Sequence, residues 1–560
     1  MMHSPDKPGR KVVVVGFDGC TFDVLKPLMK QGKLPHFTSL INTGVSGKLK
    51  SVIPPLSGPA WATFQTGLTP GKHGIYDFLR NVPKSYGSIP INSTFFSYKT
   101  LWEIISDQGK RVGVMNVLFS YPPKAVNGFI VSGKETPRED KAYSYPASLR
   151  EEMLKFDPNY EIVPFKNIAP TKKFLRDAVG KIERQERMNN YLYKKYQCDF
   201  FMSYHAMPDI IHHMFWAHLD PSHPNHRPGK ARKYLPLIEE CYRTLDRVVG
   251  RKMELIDDDT VLIIMSDHGA GPVHNKIQIN NWLQKQGLLA LNQGQKNRGF
   301  HSFLSVLKRI ADRLMDLGVE IDVFGLRRLI GYKTREKRRM LLGNALVDWS
   351  KTKAYTGRVS EYGIHINLKG REGKGIVEAG KEYEAVREFI IANLSEITDP
   401  NTGSKIFNKI WRREEVFSGP YLDLAPDLIL DFGDAACLPG NGLLTPEVVE
   451  KVRTRGLGGM HRENGIFIVK GNNINHGQKI HGACIGDLAP TILYMMGLAV
   501  PKEMDGKVLY DIFDPKFVKD HPVRYDEKAY IAAEDASKKL VYTDDEAESI
   551  KERLKSLGYL

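Results

Sequence analysis

Short apolar runs rich in β-branched residues recur along this chain and alternate with longer segments of helical period. Strands joined through helical crossovers run parallel, so the alternation commits the chain to βαβ units and a mostly parallel sheet. The runs expected to be buried strands are 11–16, 111–117, 199–204, 260–265, 427–431 and 465–470, and helical period marks 172–196 and 235–256 between them. At 560 residues, the chain is long enough for two or more ordinary domains, or for one large α/β core carrying insertions. Its 42% hydrophobic and 26% charged fractions are those of a soluble globular protein. No run of 18 apolar residues occurs, so no membrane-spanning helix is expected. The N-terminal MMHSPDKPGRK has no signal-type apolar stretch, and a cytoplasmic location is expected.

The first run, VVVV, passes into GFDG and stops on Asp18. Asp-Gly is a common turn pair, yet a carboxylate at a strand's end is also what a metal ion would need. Ligands of open α/β sheets gather just beyond the carboxyl ends of the strands. TVLIIM runs into SDHGAG, which places Asp267 and His268 there. DFFMSY runs into HAMPDIIHHMFWAH, where Asp209 and His213 are four apart and share one face of a helical turn. In GLGGMHRENGIFIVKG, His461 sits in a glycine-rich loop just before a strand. Each residue alone has an ordinary explanation as a cap, a core histidine or a loop residue. Gathering three carboxylates without cations would cost several kcal/mol per group, which two divalent ions would offset. The mix of imidazole nitrogen and carboxylate oxygen suits zinc, with manganese a second choice.

Such a site needs something to act on phosphorus or a similar centre. In SVIPPLSGPAWATFQTGLTPGKHGI, Ser57 follows a Pro-Pro turn and begins an expected helix. Backbone N–H groups and the positive helix end there can cradle a phosphoryl oxygen, although a plain N-cap serine has the same sequence. With a metal beside it, the hydroxyl can ionise near neutral pH and act as a nucleophile.

The net charge of +15 points to nucleic acid, an anionic membrane surface or phosphorylated substrates. Residues 295–340 hold twelve Lys/Arg against five Asp/Glu. Phe303, Leu304, Leu307, Ile310, Leu314 and Leu317 fall at helical spacing within them. This basic amphipathic stretch reads as an inserted cap at 291–345, or as a surface for a membrane or lipid-linked substrate. An accessory region is expected at 346–425 and a charged tail at 521–560, while no nucleic-acid-binding motif is present. The five cysteines have no pairing or metal-ligand spacing, which fits a reducing compartment; Cys20 reads as a small buried filler.

VVVVGFDG, SGPAWATFQTGLTPGKHGI, PDIIHH, SDHGAG, HRENGIFIVKG and IGDLAPTILYMMGLAVPKEMDGKVL, in this order, resemble the alkaline phosphatase superfamily. Within it, they resemble the type I phosphodiesterase and nucleotide pyrophosphatase family. The resemblance implies an alkaline-phosphatase-like three-layer α/β/α sandwich formed by 1–290 and 346–520. It implies two divalent metal ions, one held by Asp18, Ser57, Asp267 and His268 and the other by Asp209, His213 and His461. Ser57 takes the nucleophile position, which in nucleotide pyrophosphatases is usually threonine. The implied reaction is in-line attack of Ser57 on a phosphate ester, followed by hydrolysis of a phosphoserine-type intermediate.

The chain departs from the family pattern in HGIYDF, where Phe78 stands at the place of a phosphate-contacting asparagine. His212 adjoins the assigned ligand, but His213 has the i, i+4 relation to Asp209 and is preferred. His73 either orients the nucleophile loop or shapes it. A sulfatase is disfavoured, because Trp61 stands where the formylglycine signature needs arginine. A phosphomonoesterase or phosphoglycerate mutase of the same superfamily, and a non-catalytic binder of phosphorylated or lipid-linked partners, are the alternatives.

Overall fold

The computed structural model describes residues 10–138, 142–163, 165, 170–255, 257–292, 346–357, 360–443, 445, 447–452, 458–528, 530–531 and 541–557. The basic segment 295–340 and its apolar stripe lie outside the described residues. Eleven strands position the site: β1 (Lys11–Phe17), β2 (Val45–Lys50), β3 (Val112–Met115), β4 (Gly128–Val131), β5 (Ser144–Tyr145), β6 (Phe200–His205), β7 (Thr260–Met265), β8 (Gly269–Pro272), β9 (Gly459–Arg462), β10 (Asn464–Lys470) and β11 (Gln478–Cys484). Nine of them form a central sheet in the order β11-β2-β10-β7-β1-β6-β3-β4-β5, and β8 and β9 pair with each other. The five neighbours β7, β1, β6, β3 and β4 are all parallel.

The valines of β1 face both sides of the sheet and all are buried, because helices cover both faces. On one face a Cβ at Gly16 would run into the Trp61 indole, so glycine there lets α2 (Ser57–Thr66) lie close against the sheet. On the other, Phe17 meets Phe37 of α1 (Pro35–Thr43) with ring centroids 6.0 Å apart. Helices α3 (Lys172–Tyr196), α4 (Met207–Leu219) and α5 (Pro228–Leu255) join α1 in that second layer, α5 packing against the other three. The result is a three-layer α/β/α sandwich. Each fully buried valine contributes roughly 1.5–3 kcal/mol to it.

Two expected strands differ from their sequence reading. The run at 465–470 forms β10, which lies antiparallel to both neighbours. Its direction follows from a ladder bent at Asp267 and His268: β7 continuing into β8 runs against β9 continuing into β10. A hydrophobic run carries no information about strand direction. The run at 427–431 gives the strand Leu428–Asp431, which belongs to a separate antiparallel sheet with Ala354–Thr356, Gly363–Ile366 and Lys409–Arg412. That sheet has its own apolar core, shared with Ile277, Ile279 and Trp282. Beside it, buried Asp427 accepts from both Arg371 terminal nitrogens, at 2.8 and 2.6 Å, and from the Tyr383 hydroxyl at 2.6 Å.

Within the charged segment after 520, the described helix packs against the protein. Helix α6 (Asp544–Leu557) buries Ile550 and Leu554. Among the described residues, no helix is long and apolar enough to cross a membrane.

Candidate metal centre

The parallel strands end side by side, and that shared edge gathers the side chains that the sequence separates. Asp18 follows β1, Asp267 and His268 follow β7, and Asp209 and His213 lie on the first turns of α4 just past β6. Asp18 stands both in a turn and at the centre, because Gly19 adopts a left-handed φ of +64° that tightens the chain there. A Cβ on Gly19 would lie 3.0 Å from Asp209 Oδ1, so glycine is needed for space as well as for φ.

His461 is not in a loop, as the glycine-rich sequence suggests, but in β9 opposite Ala270. Glycines 269, 271 and 459 leave room for this close pairing, which stacks the His461 ring on His268 at 3.7 Å. Ser57 is the first residue of α2 and is fully buried.

Asp18, Asp267 and His268 form one group whose potential ligand atoms lie within 4.8 Å of one another, and Asp209, His268 and His461 form a second. His268 thus stands between the two groups. Ser57 Oγ lies 3.0 Å from His268 Nε2 and donates to Asp18 Oδ1 at 3.5 Å. His213 Nε2 joins the second group, 3.3 Å from Asp209 Oδ1 and 3.1 Å from His461 Nε2. All seven residues expected at the site are therefore in one buried cluster.

The hydrogen bonds around the cluster test whether it fits metal ions. His213, His268 and His461 each place Nδ1 on a backbone carbonyl, of Gly459, Gly269 and Pro55 at 3.1, 2.9 and 2.9 Å. An imidazole that donates through Nδ1 presents the lone pair of Nε2, the arrangement by which proteins orient metal-binding histidines. Both oxygens of Asp209, and Oδ2 of Asp267, accept no hydrogen bond although fully buried. Burial and the charge of Asp209 raise the pKa of Asp18, and burial and Asp18 raise that of Asp267. Burial pushes His268 and His461 down to about 4, which leaves Nε2 of each without a proton at neutral pH, whereas the Asp209 carboxylate raises His213 against its burial. Unprotonated nitrogens facing orphaned carboxylates are a donor set for divalent cations.

His212 is also buried but is used elsewhere. Its Nε2 is 2.6 Å from the Tyr242 hydroxyl and its ring meets Trp216 edge-on. We therefore expect His213→Ala to weaken binding of one metal equivalent by more than the 10- to 100-fold typical of an outer partner, while His212→Gln keeps both equivalents. Elemental analysis after gel filtration distinguishes the two variants, and equal losses would contradict this assignment. His73 has both nitrogens engaged, Nε2 with Thr63 Oγ1 and Nδ1 with the Ile75 amide, each at 3.1 Å. It ties α2 to the following segment. Cys20 is buried in the core and belongs to neither donor group.

Two residues at the centre escaped the sequence reading. Tyr204, the last but one residue of β6, donates its hydroxyl to Asp18 Oδ2. Lys134, three residues beyond β4, sets its Nζ 3.5 Å from that hydroxyl. The strand-end rule would have found Lys134 had the short run at 128–131 been taken as a strand.

A family model described as type I phosphodiesterase / nucleotide pyrophosphatase matches residues 12–457. No curated protein matches the chain. Among solved structures, phosphonoacetate hydrolase from Sinorhizobium meliloti 1021, in complex with phosphonoacetate, is similar with a TM-score of 0.52 and 14% identity, over 87% of this chain and 95% of that one. Murine ectonucleotide pyrophosphatase / phosphodiesterase 5 is similar with a TM-score of 0.48 and 14% identity, over 90% of this chain and 100% of that one. The first of these likenesses shows a shared alkaline-phosphatase-like fold.

Proposed function

Since the chain belongs to the type I phosphodiesterase / nucleotide pyrophosphatase family and is a phosphoric ester hydrolase, we propose that it cleaves phosphodiesters with Ser57 as the nucleophile at a centre for two divalent ions. The observation that carries this reading is the setting of Ser57 Oγ, fully buried at the N-terminus of α2 between Asp18 and His268. Asp18, Ser57, Asp267 and His268 would hold one ion, and Asp209, His213 and His461 the other. Bound there, the ions would lower the pKa of the serine hydroxyl and of water and offset charge gathering on the phosphoryl oxygens. Three imidazoles among the ligands favour zinc over manganese.

Within the chain itself, Asp18 and His268 fix the Ser57 oxygen in place. Its lone pair attacks phosphorus in line with the leaving oxygen, forming an ester to Ser57 as the bond to the leaving group breaks; the serine proton is released to water, and the leaving oxygen departs with the bonding pair and takes up a proton from water. The positive end of α2 favours the phosphoryl oxygens. Water then cleaves the phosphoserine and restores the hydroxyl. The five free cysteines support a reducing, cytoplasmic setting.

The test compares bis-p-nitrophenyl phosphate with p-nitrophenyl phosphate as substrates, using stripped protein reloaded with zinc or manganese. A diester preference with zinc is the expected outcome. A monoester preference would point instead to a phosphomonoesterase or mutase of the same superfamily.

A further inference from the structure

Lys134 is a cation in an unusual place. It is only 8% exposed, and its Nζ lies 4.9 Å from the centre of the Phe78 ring and 5.8 Å from that of Tyr204. Tyr204 bonds Asp18 Oδ2, and the other oxygen of Asp18 faces Ser57 Oγ. The ammonium is thus one hydroxyl away from Asp18, the carboxylate whose other oxygen accepts from Ser57 Oγ. Burial lowers its pKa, and the carboxylates of Asp18, Glu135, Asp209 and Asp267 act against that effect.

A buried ammonium costs several kcal/mol unless it meets an anion. Without metal, the aspartates of the centre answer that need. Two dications at the centre would balance Asp18, Glu135, Asp209 and Asp267 in charge, and Lys134 would add net positive charge there. A further cation then calls for a further anion, and a phosphoryl group is the anion that a phosphoric ester hydrolase receives.

The segment that carries Lys134 is held from the far end of the chain. Arg553 of α6 donates to the carbonyls of Lys134 and Thr136, each at 2.7 Å, and of Pro137 at 3.1 Å. The Tyr542 hydroxyl donates to the Glu135 carbonyl at 3.2 Å, and the Tyr542 ring stacks on Tyr121.

We propose that Lys134 binds a non-bridging phosphoryl oxygen of the substrate and offsets its charge, with Arg553 as the positioning residue that sets the lysine at the Asp18 side of the centre. This rests on the hydrolase reading of the Ser57 site. Zinc content, the affinity for inorganic phosphate by calorimetry, and kcat and KM for bis-p-nitrophenyl phosphate are measured on the full chain. The proteins compared are the wild type, Lys134→Met, Lys134→Arg, Arg553→Met and Tyr542→Phe.

Lys134→Met should keep both zinc equivalents, weaken phosphate about 10-fold or more and lower kcat/KM by about 10- to 100-fold, the range of a charged hydrogen bond. Lys134→Arg should recover part of both losses. Arg553→Met should shift the same two quantities in the same direction by less. Tyr542→Phe, which disturbs the helix least, should shift them by a smaller amount again.

Phosphate affinity unchanged in Lys134→Met would overturn the role of the lysine. Equal loss of zinc and phosphate in the Met and Arg variants would also overturn it, by making the size of Lys134 and not its charge what the site requires. Unchanged values in both Arg553→Met and Tyr542→Phe would remove the positioning role. A wild type that hydrolyses no ester counts against the hydrolase reading, whereas an active wild type matched by Lys134→Met counts only against Lys134.

Discussion

Replacing Ser57 by alanine should lower kcat/KM for a phosphodiester by about 10⁴-fold or more, the scale seen when a nucleophile is removed from an enzyme that works through a covalent intermediate. Alanine is a good helix former, so α2 should persist, and the loss of the hydroxyl's hydrogen bonds should cost only about 1 kcal/mol of stability. The side chain is fully buried, so no other group takes its place. Ser57→Thr should keep measurable turnover, because a second hydroxyl enters at the same atom and only a methyl is added. The contrast separates chemistry from packing. Ser57→Ala with activity within 10-fold of the wild type would show that water attacks phosphorus directly.

Removal of the metals should abolish turnover and also loosen the fold. Asp18, Asp209 and Asp267 are all fully buried in one cluster, where divalent cations would offset the cost of gathering their charges. An ion present at about 1,000 times its dissociation constant stabilises the native state by roughly 4 kcal/mol. Chelation should therefore lower the thermal midpoint by several degrees, and adding back zinc should restore it. The pH dependence has a definite sign. Asp18 and Asp267 have raised pKa values in the folded chain, so protonating them relieves the repulsion, and the stability this brings is present at low pH and lost as pH rises through the raised values. The gap between metal-bound and metal-free midpoints should thus be wide at pH 7 and shrink as pH falls toward the ordinary carboxylate range. A midpoint indifferent to chelation at pH 7 would contradict the occupancy proposed for these residues.

Why so much of this centre can be read from sequence follows from the architecture. Parallel strands must end at one edge, and a carboxylate or imidazole just after an apolar run must therefore lie there. Asp18, Asp267 and His268 obey that rule directly, and Asp209 and His213 obey it through the first turns of α4. His461 was harder, because its neighbours Gly458 and Gly459 read as loop. Its place is set instead by pairing with β8, a contact between residues far apart in the chain. The same limit hid Lys134 and Tyr204. Tyr204 ended a run already read as a strand and Lys134 follows one that was not, but their links to Asp18 run across the sheet. Strands β2 and β11 lie toward one edge of the sheet and alternate or expose their side chains, so they present no apolar run to find. Asp427 shows the converse. Its run was legible as a strand, but the Arg371 partner that fixes it in the accessory sheet was not.

The most direct measurement is to mix the zinc-loaded enzyme with a phosphodiester, quench in acid within a single turnover, and analyse its peptides by mass spectrometry. A phosphoserine is expected at Ser57 on the peptide containing SGPAWATFQTG, absent without substrate and absent from Ser57→Ala. An active enzyme whose Ser57 peptide stays unmodified at every quench time would contradict the serine nucleophile.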